Sequence, residues 1–117
     1  MGYVSGIGGL FIRSPNHEAL AAWYKRHFDI GNGAIGEIWT QQAGPSVFAP
    51  FKEDSDYFRG DRRFMLNLRV TDMAAQIAEL EAAGIKVKRV EDETYGIFAH
   101  LEDPDGNPIE LWQPLLE

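Results

Sequence analysis

The sequence predicts an α+β fold built from two βαβββ-type modules, with curved antiparallel sheets closing around a cleft. Two observations carry that prediction. The chain repeats its own pattern, because a β-like run, a capped amphipathic helix and further strands occur in each half. The stretch Phe98 to Trp112 also reads as one β-hairpin, closed by Pro104-Asp105-Gly106.

In chain order, Ile7 to Arg13 is the first strand-like run, and Ser14-Pro15-Asn16 ends it and offers a helix cap. Glu18 to Phe28 then places Leu20, Trp23, Tyr24 and Phe28 at helical spacing, so one face is apolar. Strands are expected at about Ile35 to Gln41 and Ser46 to Phe51, around the turn Ala43-Gly44-Pro45. Lys52 to Arg63 is acidic and aromatic, and two readings stay open: a plain linker, or a lip over the cleft. The second half starts with a strand at Phe64 to Val70 and a cap at Thr71-Asp72. Met73, Ile77 and Leu80 form the stripe of the next helix, and Gly84 stops it from a left-handed conformation. Ile85 to Val90, Phe98 to Asp103 and Asn107 to Trp112 complete the strands.

The halves align residue on residue: Leu10 on Leu66, Ile12 on Leu68, Arg13 on Arg69, and Gly44 to Phe48 on Gly106 to Glu110. One domain over 1–117 is expected, with module 1 at about 1–58 and module 2 at about 62–117.

Strand parity sorts the side chains. Leu10, Ile12, Leu66, Leu68, Val70, Val47, Ala49, Ile109 and Leu111 belong under the helices. Phe11, Arg13, Met65, Asn67, Arg69, Phe48, His100, Glu110 and Trp112 point the opposite way. A mixed polar and aromatic face of that kind suits a half-polar pocket. In the hairpin, a type I turn with a glycine bulge sets Asp103 opposite Asn107, Leu101 opposite Ile109 and His100 opposite Glu110. His100 and Glu110 are therefore the candidate chemical pair, an imidazole and a carboxylate side by side. Phe11, Arg13, Phe48, Met65, Asn67, Arg69 and Trp112 are the candidate pocket walls. Arg13 and Arg69 could hold a carboxylate or phosphate, or pair with surface acids such as Asp72 or Glu18.

Composition removes several classes. Of the 117 residues, 18 are acidic and 11 basic, a net charge of -7, which argues against nucleic acid or an anionic membrane as partner. There is no cysteine, so disulfides, thiolate catalysis and zinc-thiolate sites are out. The start of the chain lacks the basic residues and long apolar run of a signal peptide, and a cytoplasmic location is the default expectation.

Gly8-Gly9-Leu10-Phe11 with Ala22-Trp23-Tyr24, Leu68-Arg69-Val70-Thr71-Asp72, and Asp103-Pro104-Asp105-Gly106-Asn107 with Ile109-Glu110-Leu111 resemble the vicinal oxygen chelate superfamily. That group includes glyoxalase I, bleomycin-resistance proteins and extradiol dioxygenases. The resemblance implies a metal site with one ligand on each of four inner strands. Those positions fall on Gly9, Phe48, Met65 and Glu110, and only Glu110 could ligate. No cofactor is therefore expected; a divalent metal would need Glu110 together with non-standard ligands. The fosfomycin-resistance enzymes of the same group place a ligand-contacting tyrosine where His100 falls, so the resemblance also puts His100 in the pocket.

Two functions follow as expectations. The first is a metal-independent protein of the bleomycin-resistance type, binding a small organic molecule in an intermodule cleft. The alternative is a glyoxalase-like lyase or isomerase working through Glu110 and His100. Paired chains, each lending walls to the other's cleft, make a homodimer the expected assembly.

Overall fold

Asn16 starts the first helix by accepting the Ala19 N–H at 3.1 Å, which satisfies a donor that a helix N-terminus leaves free. Helix α1 then runs His17–Phe28 and ends at Asp29, itself left-handed at φ 56. Asp72 caps helix α2, Met73–Ala82, in the same way through the Ala75 N–H. Gly84 ends it at φ 84. The Ile85 N–H bonds the Leu80 carbonyl and the Gly84 N–H bonds the Glu81 carbonyl, each at 3.0 Å, a Schellman closure that uses two otherwise orphaned carbonyls.

These elements belong to a computed structural model that describes residues 2–31, 38–92 and 94–115. Among the described residues the strands are β1 Leu66–Arg69, β2 Lys88–Asp92, β3 Gly96–Glu102 and β4 Pro108–Pro114, in sheet order β1-β4-β3-β2. The second half is thus a βαβββ unit. Its sheet is mixed rather than antiparallel, because β1 runs parallel to β4. The direction follows from connectivity: α2 carries the chain back, so β2 runs as β1 does, and two antiparallel steps through β3 return β4 to the same sense.

The β3–β4 hairpin has the register read from the sequence, with His100 opposite Glu110 and Leu101 opposite Ile109. The Gly106 N–H reaches the Asp103 carbonyl at 2.9 Å, the Asp103 N–H reaches the Asn107 carbonyl at 3.0 Å, and Gly106 takes φ 82. The Asp103 carboxylate locks the turn from inside. It accepts the Asp105 and Asn107 backbone N–H groups, the Asn107 amide and the Tyr24 hydroxyl, the last at 2.7 Å.

Both helices lie on one face of this sheet. Met73 and Leu80 of α2 meet Ala99, Leu101, Ile109 and Leu111, and Trp23, Tyr24 and Phe28 of α1 pack on the same cluster. Full burial of side chains such as Leu80 and Leu111 contributes about 1.5–3 kcal/mol each. The Gln76 amide donates to the His27 carbonyl and ties α2 to α1.

The first half departs from expectation. Neither Ile7 to Arg13 nor Ser46 to Phe51 forms a strand, nor do residues 38–41; residues 35–37 of the expected strand at Ile35 to Gln41 lie outside the described residues. Leu10 and Val47, expected under a helix, are 50% and 69% exposed. The physical reason is the placement of α1. Its apolar face is already spent on the second half's sheet, so the first half's strands have no helix to pack beneath. No ladder reaches 7–13 or 46–51 among the described residues.

Candidate functional site

Glu110 sits at the middle of β4, on the sheet face away from the helices. The ladders place Asn67 of β1 on one side of it and His100 of β3 on the other. This row of three is a direct result of strand parity, since the flanking Ile109 and Leu111 face the core. Glu110 as a residue is 6% exposed. Its Oε1 accepts from Asn67 Nδ2 at 2.8 Å, and its Oε2 lies 2.7 Å from His100 Nε2.

A third donor comes from outside the sheet. The Tyr57 hydroxyl donates to Glu110 Oε2 at 2.5 Å, and its ring stands edge-on to the His100 imidazole, centroids 5.2 Å apart at 82°. Tyr57 belongs to the 52–63 segment, which therefore lies over the sheet as a lip rather than running free as a linker. Phe51 packs against Tyr57 and Phe58. Arg59 and Arg62 donate to the Gly106 and Asp105 carbonyls of the hairpin turn. The sequence left the loop carrying Tyr57 and Phe58 open between linker and lip on the strength of its aromatics, and pointed to no contact between Tyr57 and Glu110.

The electrostatics of Glu110 follow from its partners. Burial pushes its carboxyl up, but the hydrogen bonds from His100, Tyr57 and Asn67 outweigh burial and hold it below the usual carboxylate range. An ionised carboxylate can only accept, so His100 directs an N–H from Nε2 toward it. Burial, followed by the Glu110 contact, pushes the Tyr57 phenol well up, so it keeps its proton.

The next row of the same face is Arg69, Trp112 and Phe98. The Trp112 and Phe98 rings are parallel within 2°, centroids 6.2 Å apart, and Trp112 Nε1 donates to the Tyr95 carbonyl at 2.9 Å. Trp112 is 6% exposed, so within one chain it is a packed residue rather than an open wall. Arg69 donates to the Gln42 and Pro45 carbonyls, each at 2.6 Å. It is neither paired with Asp72 or Glu18 nor turned to an anion, and instead holds the 42–46 loop against the sheet edge.

Of the candidate residues, Glu110, His100 and Asn67 come together, and Met65 lies close by. Tyr57, Phe58, Met65, His100 and Pro108 are among the residues lining a cleft of about 230 Å³, which adjoins Glu110 through Tyr57 and His100 but is not lined by Glu110 itself. Phe11 is 94% exposed and Phe48 85% exposed, and Arg13 is also exposed. These three take no part in the cleft of a single chain, because the strands that would have carried them inward are absent. A wider, shallower groove of about 720 Å³ runs between Trp23 and residues 85–88; it too reaches His100 and is not lined by Glu110.

The donor set does not fit a divalent ion. Both Glu110 oxygens are taken by neutral or imidazole donors, and the other positions implied by the resemblance are Gly9, Phe48 and Met65. Among the described residues no group of three or more His, Asp or Glu converges as metal ligands would.

Comparison with known proteins bears on the fold. A family model for the glyoxalase-like domain matches residues 9–112. A glyoxalase/bleomycin resistance protein from Streptomyces sp. CB03234 is 40% identical over 41% of this chain and 42% of its own, with a TM-score of 0.38. The antibiotic binding protein TnmS3 from Streptomyces sp. CB03234 is 24% identical, with 97% of this chain and 99% of that one covered at a TM-score of 0.64; it shares the fold. No curated protein matches the chain. The chain belongs to the glyoxalase-like domain family, and through it to the vicinal oxygen chelate superfamily.

Proposed function

We propose that this protein binds a small organic molecule against the sheet face centred on Glu110 and His100, without a metal. The observation that carries the reading is the buried Glu110 carboxylate, set between Asn67 and His100 on rigid strands beside an aromatic row. A fixed acceptor and an imidazole next to apolar walls orient a ligand and supply specificity. The description of TnmS3 as an antibiotic binding protein supports the same class of function.

The cleft of one chain is smaller than the roughly 300–1,000 Å³ usual for ligand pockets, so further walls are needed. Phe11, Phe48, Ile38 and Val47 are large, apolar and exposed. A second copy that pairs its first half with this sheet would cover them and complete the two-module cleft, so the functional unit is a homodimer. The net charge of -7 favours a neutral or cationic ligand. Native mass spectrometry of protein purified without chelator tests the reading. A bound organic species, lost on His100→Ala, supports it; stoichiometric metal with no organic species opposes it.

A second reading, a glyoxalase-like lyase or isomerase, rests on the 2.7 Å His100–Glu110 contact. In that reading His100 moves the proton and Glu110 steadies the charged imidazole. Turnover abolished equally by His100→Ala and Glu110→Gln would favour it.

A further inference from the structure

Glu110 is served by donors of two kinds. Asn67 and His100 are fixed by the ladder, whereas Tyr57 arrives on a segment that has no strand or helix of its own. That segment is held at its far end, where Arg59 meets Glu102 and the Gly106 carbonyl and Arg62 meets the Asp105 carbonyl. Toward the cleft it is held by the Tyr57 hydroxyl and by aromatic packing. Tyr57 is 42% exposed although its hydroxyl ends on a carboxylate that is 6% exposed. The ring is thus a plug in the mouth of the site, with solvent on one side and Glu110 on the other.

We infer that Tyr57 occupies the seat of the ligand, and that the molecule bound here carries a phenol-like aromatic hydroxyl that replaces the Tyr57 hydroxyl on Glu110. The inference rests on the small-molecule reading above and adds the chemical class. Three features define the seat. Glu110 Oε2 is the acceptor directly under the Tyr57 hydroxyl. The His100 ring offers a flank that already accommodates an aromatic edge. Met65 and Pro108 give the apolar floor. An aromatic ring with one hydroxyl satisfies all three, as Tyr57 itself does. Release of the plug needs no refolding of the sheet: the Arg59 and Arg62 contacts serve as the fixed end, and the other end is freed when the Tyr57 hydroxyl leaves Glu110 and its ring leaves Phe51 and His100. The ligand gains the same hydrogen bond, so the exchange leaves the buried carboxylate satisfied throughout.

The test uses 4-methylphenol, the tyrosine side chain as a free molecule, with toluene as the control that lacks the hydroxyl. Tyr57→Ala vacates the seat. Calorimetric titration should show 4-methylphenol binding Tyr57→Ala about tenfold or more tightly than the unaltered protein. The gain should disappear in the double variant with Glu110→Gln and should be absent for toluene. Equal affinity for Tyr57→Ala and unaltered protein, equal affinity for toluene and 4-methylphenol, or no binding to either protein would each overturn the inference. Should Tyr57→Ala fail to fold, Tyr57→Phe decides: it keeps the ring but loses the anchor, so affinity for 4-methylphenol should rise at least about threefold. Unchanged or weaker binding there overturns the inference. The broader small-molecule reading has its own test, a co-purified or screened ligand on unaltered protein, and survives a failure at this seat.

Discussion

The Tyr57 hydroxyl and the Glu110 carboxylate, 53 residues apart in sequence, meet at 2.5 Å over the open face of the sheet. That contact joins the segment between the two halves to the chemical centre of the second half. It lays the segment over Glu110 and gives the carboxylate the third donor that stabilises it as an anion.

The first prediction concerns pH. The folded-state pKa of Glu110 lies below its ordinary value of 4.5. The stabilisation it supplies is complete above that value and is lost as pH falls through the lower folded-state value. Urea unfolding of the unaltered protein and Glu110→Gln should show a gap at pH 7 that narrows in the acid range. A gap that is constant from neutral to acid would detach the stability from Glu110 ionisation.

The second prediction separates two glycines with positive φ. A Cβ at Gly96 would lie 2.3 Å from the Gln113 backbone oxygen and 2.8 Å from Trp112 Nε1, whereas at Gly106 it would meet Arg59 Nη1 at 2.6 Å, the tip of a flexible side chain. Gly106→Ala should cost about 1–2 kcal/mol, mainly for the left-handed backbone. Gly96→Ala should cost more, about 3 kcal/mol or above, because a backbone oxygen must move. The reverse order in thermal or urea unfolding would contradict the packing described at Trp112.

A third prediction addresses the tie between α1 and the hairpin. Asp103 is 5% exposed and accepts the Tyr24 hydroxyl. Tyr24→Phe should lose about 1.5–3 kcal/mol, as for a hydrogen bond to a charged group, and Asp103→Ala should lose more because backbone and Asn107 donors are also orphaned. In a double-mutant cycle the two should be strongly non-additive. Additive losses would place the first helix elsewhere.

The fourth prediction is assembly. The exposed Phe11 and Phe48 should be covered by a second copy at micromolar concentration. Sedimentation should then give twice the chain mass of 13.2 kDa, and Phe11→Asp with Phe48→Asp should return the monomer. A monomer for the unaltered protein across that range rejects the two-chain cleft.

The second half was legible because its signals are local. Pro104 and Gly106 specify the turn, the turn specifies the register, and the register alone puts His100 beside Glu110. Asn16 and Asp72 announce their helices through their own side chains. The strands of the first half were not, because alternation in Ile7 to Arg13 states a preference for a strand but names no partner. Which sheet the Trp23–Tyr24–Phe28 face would join depends on long-range packing. The Tyr57 contact was hidden for the same reason: an aromatic in a loop says that something is covered, and only the fold says what. Arg69 shows a further limit, since its guanidinium went to backbone carbonyls, which leave no trace in side-chain patterning.

The most direct test of the central claim is an NMR titration read at the histidines. The chain has three, His17, His27 and His100, and only His100 stands at the proposed site. With histidine ring carbons labelled, a panel of small aromatic compounds is titrated into the unaltered protein and into Glu110→Gln. The account predicts compounds that move the His100 ring signal while His17 stays in place, with binding weakened in Glu110→Gln. A panel whose every binder leaves His100 unmoved, or binds Glu110→Gln with equal affinity, would contradict it.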